Sequence, residues 1–486
     1  MDTYFDGFRI ARLLLQRSLA GIYLVAFIAA LNQFPALLGE NGLLPVADFI
    51  KHSPFKASPN IFYLHYSDQF LMLIAAAGIV LSLSALFGIS ESGSWWLSTG
   101  IWFFLWVLYL SIVNVGQTFY SFGWETMLLE AGFFAAFLGP SRFQASVIPI
   151  LILRWMLFRV ELGAGLIKLR SDPCWRDLTC LFYHYETQPL PNPLSWYFHY
   201  LPKFLHAISV LFSHFVQVIV PFGLFGPQKI AAISGGLIIF HQFLLIISGN
   251  YSWLNWLTVV LGLSAFSDSI FGKLIRFNVA TPIARPQFYN ALLCGLAAFT
   301  VILSILPVSN LFSRRQMMNY SYNPLRLVNT YGAFGSMTKE RYEIVIEGTD
   351  ASGMLAQAEW KEYGFMAKPG DVRRLPPQIA PYHLRLDWLM WFLPFSVTIA
   401  DNHIIVPGYE LWFMRFIQKL LQGDKKTLKL LRINPFPGQP PRFIRARFYR
   451  YRYTDPGERK NTGNWWRRDF VDDYLSPVAL PERTGD

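Results

Sequence analysis

The chain has 486 residues, of which 53% are hydrophobic and only 15% are charged, whereas about a quarter of the residues in a soluble globular protein are charged. The apolar residues concentrate in runs of about eighteen or more, which are long enough to cross a bilayer as helices. These features exclude a soluble globular protein and predict a polytopic α-helical membrane protein.

The formal net charge is +11, and much of the excess lies in the last third of the chain, which looks aqueous. Basic charge suits nucleic acid, anionic lipid headgroups or an acidic partner. In a domain tethered to a membrane it favours lipid or a partner protein, and the sequence has no basic arm or nucleic-acid motif. We therefore expect membrane lipid and a protein as partners, and no nucleic acid.

Apolar runs predict about nine membrane spans, at residues 10–32, 68–89, 95–115, 121–139, 146–168, 204–225, 229–248, 252–267 and 287–307. The first run lacks a small-residue cleavage site after it, so we expect an anchor that is retained rather than a signal peptide. The fourth run carries Glu125 and Glu130. If it did not span, the orientation of everything downstream would invert.

Basic residues in short loops predict the orientation, because they favour the cytoplasmic side. With a cytoplasmic N-terminus, that side carries Arg9, Arg12, Arg142, Lys229, Lys273, Arg276 and Arg285. The opposite connections, at about 116–120 and 249–251, have no Lys or Arg. We therefore expect a transmembrane domain at 1–311, whose loop 169–203 lies outside the cytosol together with a C-terminal domain at 312–486.

The fifth span is predicted to have a polar face. Arg154, Glu161 and Lys168 are seven residues apart, and two helical turns return to nearly the same face. Arg159 lies on the same helix, and possible partners on other spans are Glu125, Glu130, His206, His214, Gln217, His241 and Gln242. Two interpretations stay open, an ion-pair network that fixes helix register and a cavity that binds or transforms a small molecule. Lys168 could also reach the membrane edge, and no spacing indicates a metal site.

The outer loop that follows, 169–203, is a polar cluster between apolar spans, and we interpret it as a rigid cap over the bundle. Three prolines in "PLPNP" predict extended backbone. Its motif residues are Asp172, Cys174, Trp175, Asp177, Cys180, Tyr185 and Gln188. An oxidising compartment would permit a Cys174–Cys180 disulfide, with two free thiols as the alternative. His184 and Glu186 could act as acid and base, or could simply hydrogen-bond within the cap.

The composition changes past Pro307. "RYEIVIEG", "WKEYGFMAKPGD", "RLDWLMWFL" and "RFIRARFYRYRY" are interpreted as strands, and Tyr409 to Leu431 has helical spacing. We expect one basic, β-rich domain packed on the membrane part. The alternating basic strand could contact a client protein, or could be an ordinary exposed strand.

The segment "GAGLIKLRSDPCWRDLTCLFYHYETQPLPNPLSWYFH" closely resembles the signature of the lipase maturation factor family. Similarity continues in order through "SGNYSWLNWLTVVLGLSAFSD", "RYEIVIEGTD", "KPGDVRRLPPQIAPYHLRLDWLMWF" and "NWWRRDF". The resemblance implies a chaperone-like protein of the endoplasmic reticulum membrane that helps dimeric secreted lipases fold and assemble, without a cofactor. Because the chain ends soon after "NWWRRDF", a compact bacterial member is an alternative. The C-terminal domain of such a member would face the periplasm from the inner membrane, and the sequence would not identify its client protein.

A shorter match favours a second hypothesis. "AGLIKL" followed by "DPCW" is similar to a segment of vitamin K-dependent γ-carboxylases and their bacterial membrane relatives, the HTTM superfamily. That resemblance implies a membrane enzyme in which Lys168 is the base acting on a lipid-soluble quinone. The two hypotheses differ in what surrounds Lys168: an enzyme needs a cavity reaching it, whereas a folding factor tolerates it sealed in an ion pair.

Overall fold

The computed structural model describes residues 7–274, 282–400 and 403–481. Arg276 and the Lys273 side chain, two of the groups used to predict orientation, lie outside the described residues. The helices are α1 Arg9–Leu37, α2 Val46–His52, α3 Asp68–Leu86, α4 Ile89–Ser92, α5 Trp95–Val115, α6 Gly123–Ala135, α7 Val147–Arg170, α8 Pro173–Arg176, α9 Leu181–Thr187, α10 Ser195–His199, α11 Lys203–His214, α12 Gln228–Ser248, α13 Leu254–Gly262, α14 Asp268–Leu274, α15 Gln287–Phe312, α16 Arg385–Phe392, α17 Leu411–Leu421, α18 Lys425–Leu428 and α19 Pro456–Thr462. The strands are β1 Arg341–Thr349, β2 Lys361–Glu362, β3 Gly364–Phe365, β4 Thr398–Ala400, β5 His403–Ile405, β6 Leu431–Ile433, β7 Phe443–Tyr453 and β8 Trp466–Val478.

Within the described ranges, six helical segments are long and apolar enough to cross a membrane: α1, α3, α5, α12, α15, and α11 with its continuation to Phe225. This confirms a helical membrane protein, but the predicted count of nine spans is not confirmed. The other three predicted runs form α6, which has only 13 residues, α7, and the short apolar segment Leu254–Ala265. Twelve of the 13 residues of α6 and 17 of the 24 residues of α7 are buried. Protein rather than lipid surrounds these helices, so they can carry charge.

The two ends of α1 identify the two sides of the bundle. At its start, the backbone nitrogens of Arg9 and Ile10 donate to Asp268, at the beginning of α14. Near its end, the Gln33 side chain donates to the carbonyl of His383, in the C-terminal region. The N-terminus and α14 thus share one side, and the C-terminal region lies on the other.

The C-terminal region is built on a four-stranded antiparallel sheet in the order β2-β1-β7-β8. Strand β7 alternates as its sequence predicted, and Ile444, Ala446 and Phe448 face the core. Helix α17 packs below the sheet with its apolar face buried, in agreement with the helical spacing predicted between Tyr409 and Leu431. The described part of this region confirms a strand-containing C-terminal domain after the helices.

Two of the predicted strands are wrong or incomplete. "RLDWLMWFL" forms helix α16, followed by a 3-10 turn over Leu393–Ser396. Its residues Arg385 to Met390 are all buried, and a short, continuously buried run has no periodicity that distinguishes a strand from a helix. "WKEYGFMAKPGD" contributes only the two-residue strands β2 and β3. Strand β8, in contrast, was not identified as a strand from its sequence.

One continuous hydrophobic core runs from the helical bundle into the C-terminal region. It includes Leu128 of α6, Trp253, Met390 of α16 and Phe416 of α17. The predicted domain boundary at 311/312 stays a prediction, since the two parts share this core.

Candidate functional site

The polar face of α7 is buried, but the structure divides it among separate environments. Arg154 lies near the end of the bundle that carries the N-terminus, and its guanidinium donates to the carbonyls of Ser264 (2.7 Å) and Leu224 (3.3 Å). It is therefore satisfied by the ends of neighbouring helices. Of the three residues predicted to share this face, Glu161 and Lys168 line a common cavity, whereas Arg154 does not line it.

Arg159 and Glu130 form an ion pair that is almost completely buried. The Arg159 guanidinium also donates to the carbonyl of Asn329 (2.5 Å). The other carboxylate oxygen of Glu130 accepts hydrogen bonds from the Asn329 backbone (2.9 Å), the Asn329 side chain (3.0 Å) and the Tyr331 hydroxyl (2.8 Å). A buried ion pair is tolerated when hydrogen bonds satisfy its remaining lone pairs. Here the segment that follows α15, the last candidate membrane span, supplies them.

Glu125 is the centre of a second buried cluster. It accepts from Arg385 at 2.7 Å and from the Tyr109 hydroxyl, and His383 Nδ1 lies 3.7 Å from it. The Arg385 guanidinium stacks over the ring of Tyr120. Burial and the Arg385 charge lower the pKa of His383 to about 4. Both α6 glutamates therefore bind cationic or hydrogen-bonding groups inside the protein, which explains how a helix with two carboxylates lies in the bundle.

A cavity of about 640 Å³ reaches the remaining charged pair of α7. At its inner end lie Glu161, Lys168, Gln217, Gln242 and Asn255. Its walls are mostly apolar and rich in aromatic side chains, including Phe122, Trp124, Phe334, Trp388, Trp391, Phe392 and Trp412. A mostly apolar pocket with a few convergent polar groups is the usual form of a small-molecule site.

Amide side chains hold the two charges at the inner end. Lys168 Nζ donates to Gln217 Oε1 at 2.7 Å, and it lies 4.7 Å from the centre of the Trp175 ring. Glu161 Oε1 accepts from Gln242 Nε2 at 2.7 Å. Gln242 Oε1 in turn accepts from Asn255 Nδ2 at 2.8 Å. The lysine is thus neither sealed by Glu130, which pairs with Arg159, nor exposed to solvent.

The outer loop caps this side of the bundle, and its first part is clipped by a Cys174–Cys180 disulfide. Asp172 begins α8 by accepting from the Cys174 backbone nitrogen at 3.0 Å, and it also accepts from the Met337 backbone at 3.2 Å. The indole of Trp175 donates to the carbonyl of Phe334 at 2.7 Å. The loop is therefore bound to the segment that enters the C-terminal region.

Gln188 anchors the second part of the loop to the bundle. Its amide donates to Ser195 Oγ (2.8 Å) and to the carbonyl of Ser248 (2.9 Å), and it accepts from the Tyr251 hydroxyl. The same hydroxyl lies 2.8 Å from His184 Nε2. Burial, reinforced by the Lys168 charge, lowers the pKa of His184 to about 3. His184 is therefore neutral at physiological pH.

Glu186 and Arg341 fasten the loop to the sheet. Arg341 donates to the carbonyls of Glu186 (3.1 Å), Gln188 (2.5 Å) and Pro189 (3.0 Å), while Glu343 neutralises its charge. The Glu186 carboxylate accepts from the backbone nitrogen of Tyr453 at 2.5 Å, and burial raises its pKa. His184 and Glu186 thus serve as hydrogen-bonding groups of the cap and do not line the cavity.

The backbone of the loop is less extended than its prolines suggested. The stretch Leu181–Thr187 forms α9, and the non-helical stretch that contains the three prolines covers only residues 188–194, before α10. Tyr185 is buried against the Phe198 ring, whereas Asp177 is exposed and its backbone closes the turn after α8.

The three histidines predicted as partners of the polar face do not line the cavity. His206 Nε2 lies 2.9 Å from the carbonyl of Phe198. His214 Nε2 is 3.1 Å from the carbonyl of Trp175, and His241 is buried beside the Phe212 ring. Among the described residues, no group of histidine, cysteine or acidic side chains is arranged to hold a metal ion.

The basic strand β7 is a central strand, and acidic side chains neutralise its arginines. Arg445 pairs with Glu347 (2.6 Å), Arg450 with Glu340 (2.5 Å) and Arg452 with Asp469 (2.7 Å). Both edges of β7 are covered, by β1 and β8. The Arg450 and Arg452 side chains remain 38% and 42% exposed, so contact of this strand with a client protein stays a prediction, as does the alternative of an ordinary exposed strand.

Several residues that build the site were not identified from the sequence: Asn255, Asn329, Tyr331, Arg341, His383 and Arg385. Asn255 lies in a predicted span and binds Gln242, thirteen positions away. The other five bind groups far along the chain, and isolated polar residues in an aqueous-looking segment carry no periodic signal. The one usable indication was Arg385, which with Asp387 places charge at the start of an otherwise apolar eight-residue stretch.

Comparisons with known proteins cover both parts of the chain. The lipase maturation factor transmembrane domain matches residues 10–273, and the lipase maturation factor C-terminal domain matches residues 327–476. Lipase maturation factor 1 of Mus musculus is 42% identical, across 98% of this chain and 88% of that protein. The Homo sapiens protein of the same name is 41% identical, across 98% and 89%. Lipase maturation factor 2 of Xenopus laevis is 29% identical, across 98% and 83%. No solved structure matches the chain.

Proposed function

The chain belongs to the lipase maturation factor family, and from this premise we propose that it assists the folding and assembly of secreted lipases from within a membrane. The observation that carries the proposal is similarity to proteins named lipase maturation factor 1 along almost the whole chain, at 42% identity. The C-terminal region and the outer loop form one surface on the same side of the bundle, which suits a protein that meets its client on one side of a membrane.

The proposal is tested by expressing the full chain in cells that lack their own lipase maturation factor, together with a secreted dimeric lipase. We expect secreted lipase activity per unit of lipase mass to rise. A secreted protein that is not a lipase serves as the control and should be unaffected. Unchanged specific activity of the lipase, with the chain present in the membrane fraction, would contradict the proposal.

A substitution of Arg341 tests whether lipase maturation requires the outer loop to be bound to the sheet. Arg341→Met removes three hydrogen bonds between β1 and the loop and leaves Glu343 with Lys368 as its cation. The matched control is Arg450→Met, on the neighbouring strand, which loses only a half-exposed pair with Glu340. We expect the first variant, and not the second, to lower the specific activity of the secreted lipase at equal membrane abundance.

We further propose that the membrane is that of the endoplasmic reticulum and that the cap and C-terminal region face the lumen. Lys460→Asn places an N-glycosylation acceptor before Asn461 and Thr462 in the exposed helix α19, and Ser92→Asn does so at the other side of the bundle, before Gly93 and Ser94. The native chain already contains acceptors at Asn250 and Asn319, so each variant is compared with the native chain, and we expect one additional glycan on the first variant only. An additional glycan on the second variant alone would overturn the orientation. Nothing in the comparisons supports the bacterial alternative.

The alternative of a γ-carboxylase-like enzyme also receives no support from the comparisons. The cavity that reaches Lys168 is the one feature it anticipated, and that cavity is equally compatible with a bound ligand that undergoes no reaction. Lys168→Met is expected to leave lipase maturation intact, whereas loss of maturation in a variant that still folds would revive a chemical role for this lysine.

A further inference from the structure

The inner end of the aromatic cavity has hydrogen-bonding capacity that the protein leaves unused. Glu161 is completely buried, and Gln217 lies near its carboxylate, yet Oε2 has no hydrogen-bond partner among the described residues. Asn255 is 3% exposed, and within the same described ranges its Oδ1 also lacks a partner. Both residues line the cavity. A buried acceptor without a partner is destabilising, so these two oxygens indicate where a ligand would donate.

The charges at this end select the type of head group. Lys168 and Glu161 carry opposite charges and face the same space, so neither an anionic nor a cationic head would be matched there. A carboxylate would be attracted by Lys168 but repelled by Glu161. A hydroxyl group suits both sides, since it donates to Glu161 Oε2 or Asn255 Oδ1 and accepts from the ammonium of Lys168. A quinone has only acceptor oxygens and would leave both protein acceptors unpaired.

The rest of the cavity requires a hydrophobic body. Its walls include four indoles, of Trp124, Trp388, Trp391 and Trp412. The volume, about 640 Å³, is in the range of roughly 300–1,000 Å³ that is usual for sites of drug-sized ligands. The ligand is therefore amphipathic, with a small polar head and a bulky hydrocarbon part.

The position of the mouth indicates how such a ligand would enter. The exposed lining residues are Ser121, Met318, Asn319, Ser336, Phe392, Ser396 and Glu410. They lie where the helices meet the C-terminal region, at the end of α15 and after α16. Met318 and Phe392 remain 46% and 41% exposed at this rim. Apolar side chains at the junction of the bundle and the aqueous part suit access from the headgroup layer of a bilayer.

We propose that this cavity binds a neutral lipid that carries a free hydroxyl group, such as a monoacylglycerol or a sterol, with the hydroxyl at Glu161 and Asn255 and the hydrocarbon among the aromatic side chains. The inference does not rest on the proposed function, because the binding is measured on the chain without a lipase.

The test uses the purified full chain in detergent and the quenching of tryptophan fluorescence by bromine. The probes are 1-monoacylglycerol brominated in its acyl chain, a brominated sterol, the brominated free fatty acid and a long-chain quinone. We expect saturable quenching by the monoacylglycerol, the sterol or both, reversed by the unbrominated lipid. The first two arms distinguish the sources of the hydroxyl. Equal or stronger saturable binding of the fatty acid or of the quinone would overturn the proposal.

Variants locate the binding. Glu161→Gln and Asn255→Leu each remove an acceptor from the inner end, and a lost hydrogen bond of about 1.4 kcal/mol weakens affinity roughly tenfold. Ala164→Phe fills the cavity from α7 and should abolish saturable quenching. Glu340→Gln, on the exposed surface of the sheet, is the matched control and should bind as the native chain does. If a variant does not fold, competition by unbrominated lipid on the native chain still decides. Quenching that never saturates, or that persists in Ala164→Phe, would refute the site.

Discussion

Replacing Glu130 by glutamine tests whether the buried charges are held by specific partners or only tolerated. The substitution keeps the shape of the side chain and removes its charge. It leaves the Arg159 guanidinium, 1% exposed, without its counter-ion. It also turns an amide nitrogen toward groups that now donate to a carboxylate, among them the Asn329 backbone and the Tyr331 hydroxyl.

Breaking a buried ion pair by removing one partner costs about 3–5 kcal/mol, whereas an exposed pair contributes about 0–1 kcal/mol. Glu340→Gln is therefore the matched control, because Glu340 pairs with Arg450 at 2.5 Å while both side chains are about 40% exposed. We expect Glu130→Gln to lower the midpoint of thermal unfolding in detergent by on the order of 5 °C. The control should change it by about 1 °C or less.

The double variant Glu130→Gln with Arg159→Met separates pairing from simple loss of packing. If the two charges stabilise each other, removing both costs less than the sum of the single substitutions. The midpoint is followed by the amount of monodisperse protein that remains after heating. A shift for Glu130→Gln as small as that of Glu340→Gln, or strictly additive single and double variants, would show that the ion pair does not stabilise the fold.

Three further outcomes follow from the cap. In protein denatured with SDS, Cys174 and Cys180 should resist a maleimide reagent until the disulfide is reduced, while Cys294, which lies in the candidate span α15, reacts without reduction; mass spectrometry counts the labels. The pKa of His184 is about 3, below its ordinary value of 6.5. The folded state therefore loses stability as the pH falls below 6.5, by about 1.4 kcal/mol per pH unit. His184→Asn should lose less stability between pH 6.5 and 5, measured as the midpoint of thermal unfolding. The pKa of Glu186 is raised above its ordinary 4.5, so its protonated form is favoured in the folded state and stability is lost as the pH rises above that value. Glu186→Gln should therefore show a flatter profile in the same measurement, and an unchanged slope would contradict this assignment.

Periodicity in the sequence was sufficient to predict that α7 has a buried polar face. Spacing by seven residues along an apolar helix says that Arg154, Glu161 and Lys168 face inward, because hydrocarbon does not accept isolated ions. The spacing does not indicate which groups these three side chains contact. The pairs of the α6 glutamates connect residues about 200 and 260 positions apart, and a single sequence contains no signal at that range. Local alternation likewise predicted β1 and β7 but not that arginines on β7 are neutralised across the sheet.

The same long-range pairs show why the C-terminal region cannot be treated as an attachment to a self-sufficient bundle. Arg385 neutralises Glu125, and Asn329 and Tyr331 satisfy Glu130. Removing the residues after α15 would leave two carboxylates buried in α6. Glu125 would lose its cation and Glu130 would lose hydrogen-bond donors, each at a cost of several kcal/mol. A truncated chain that failed to support lipase maturation would therefore report a damaged bundle as much as a missing client surface. Point substitutions that undock the cap while sparing these pairs, such as Arg341→Met, separate the two causes.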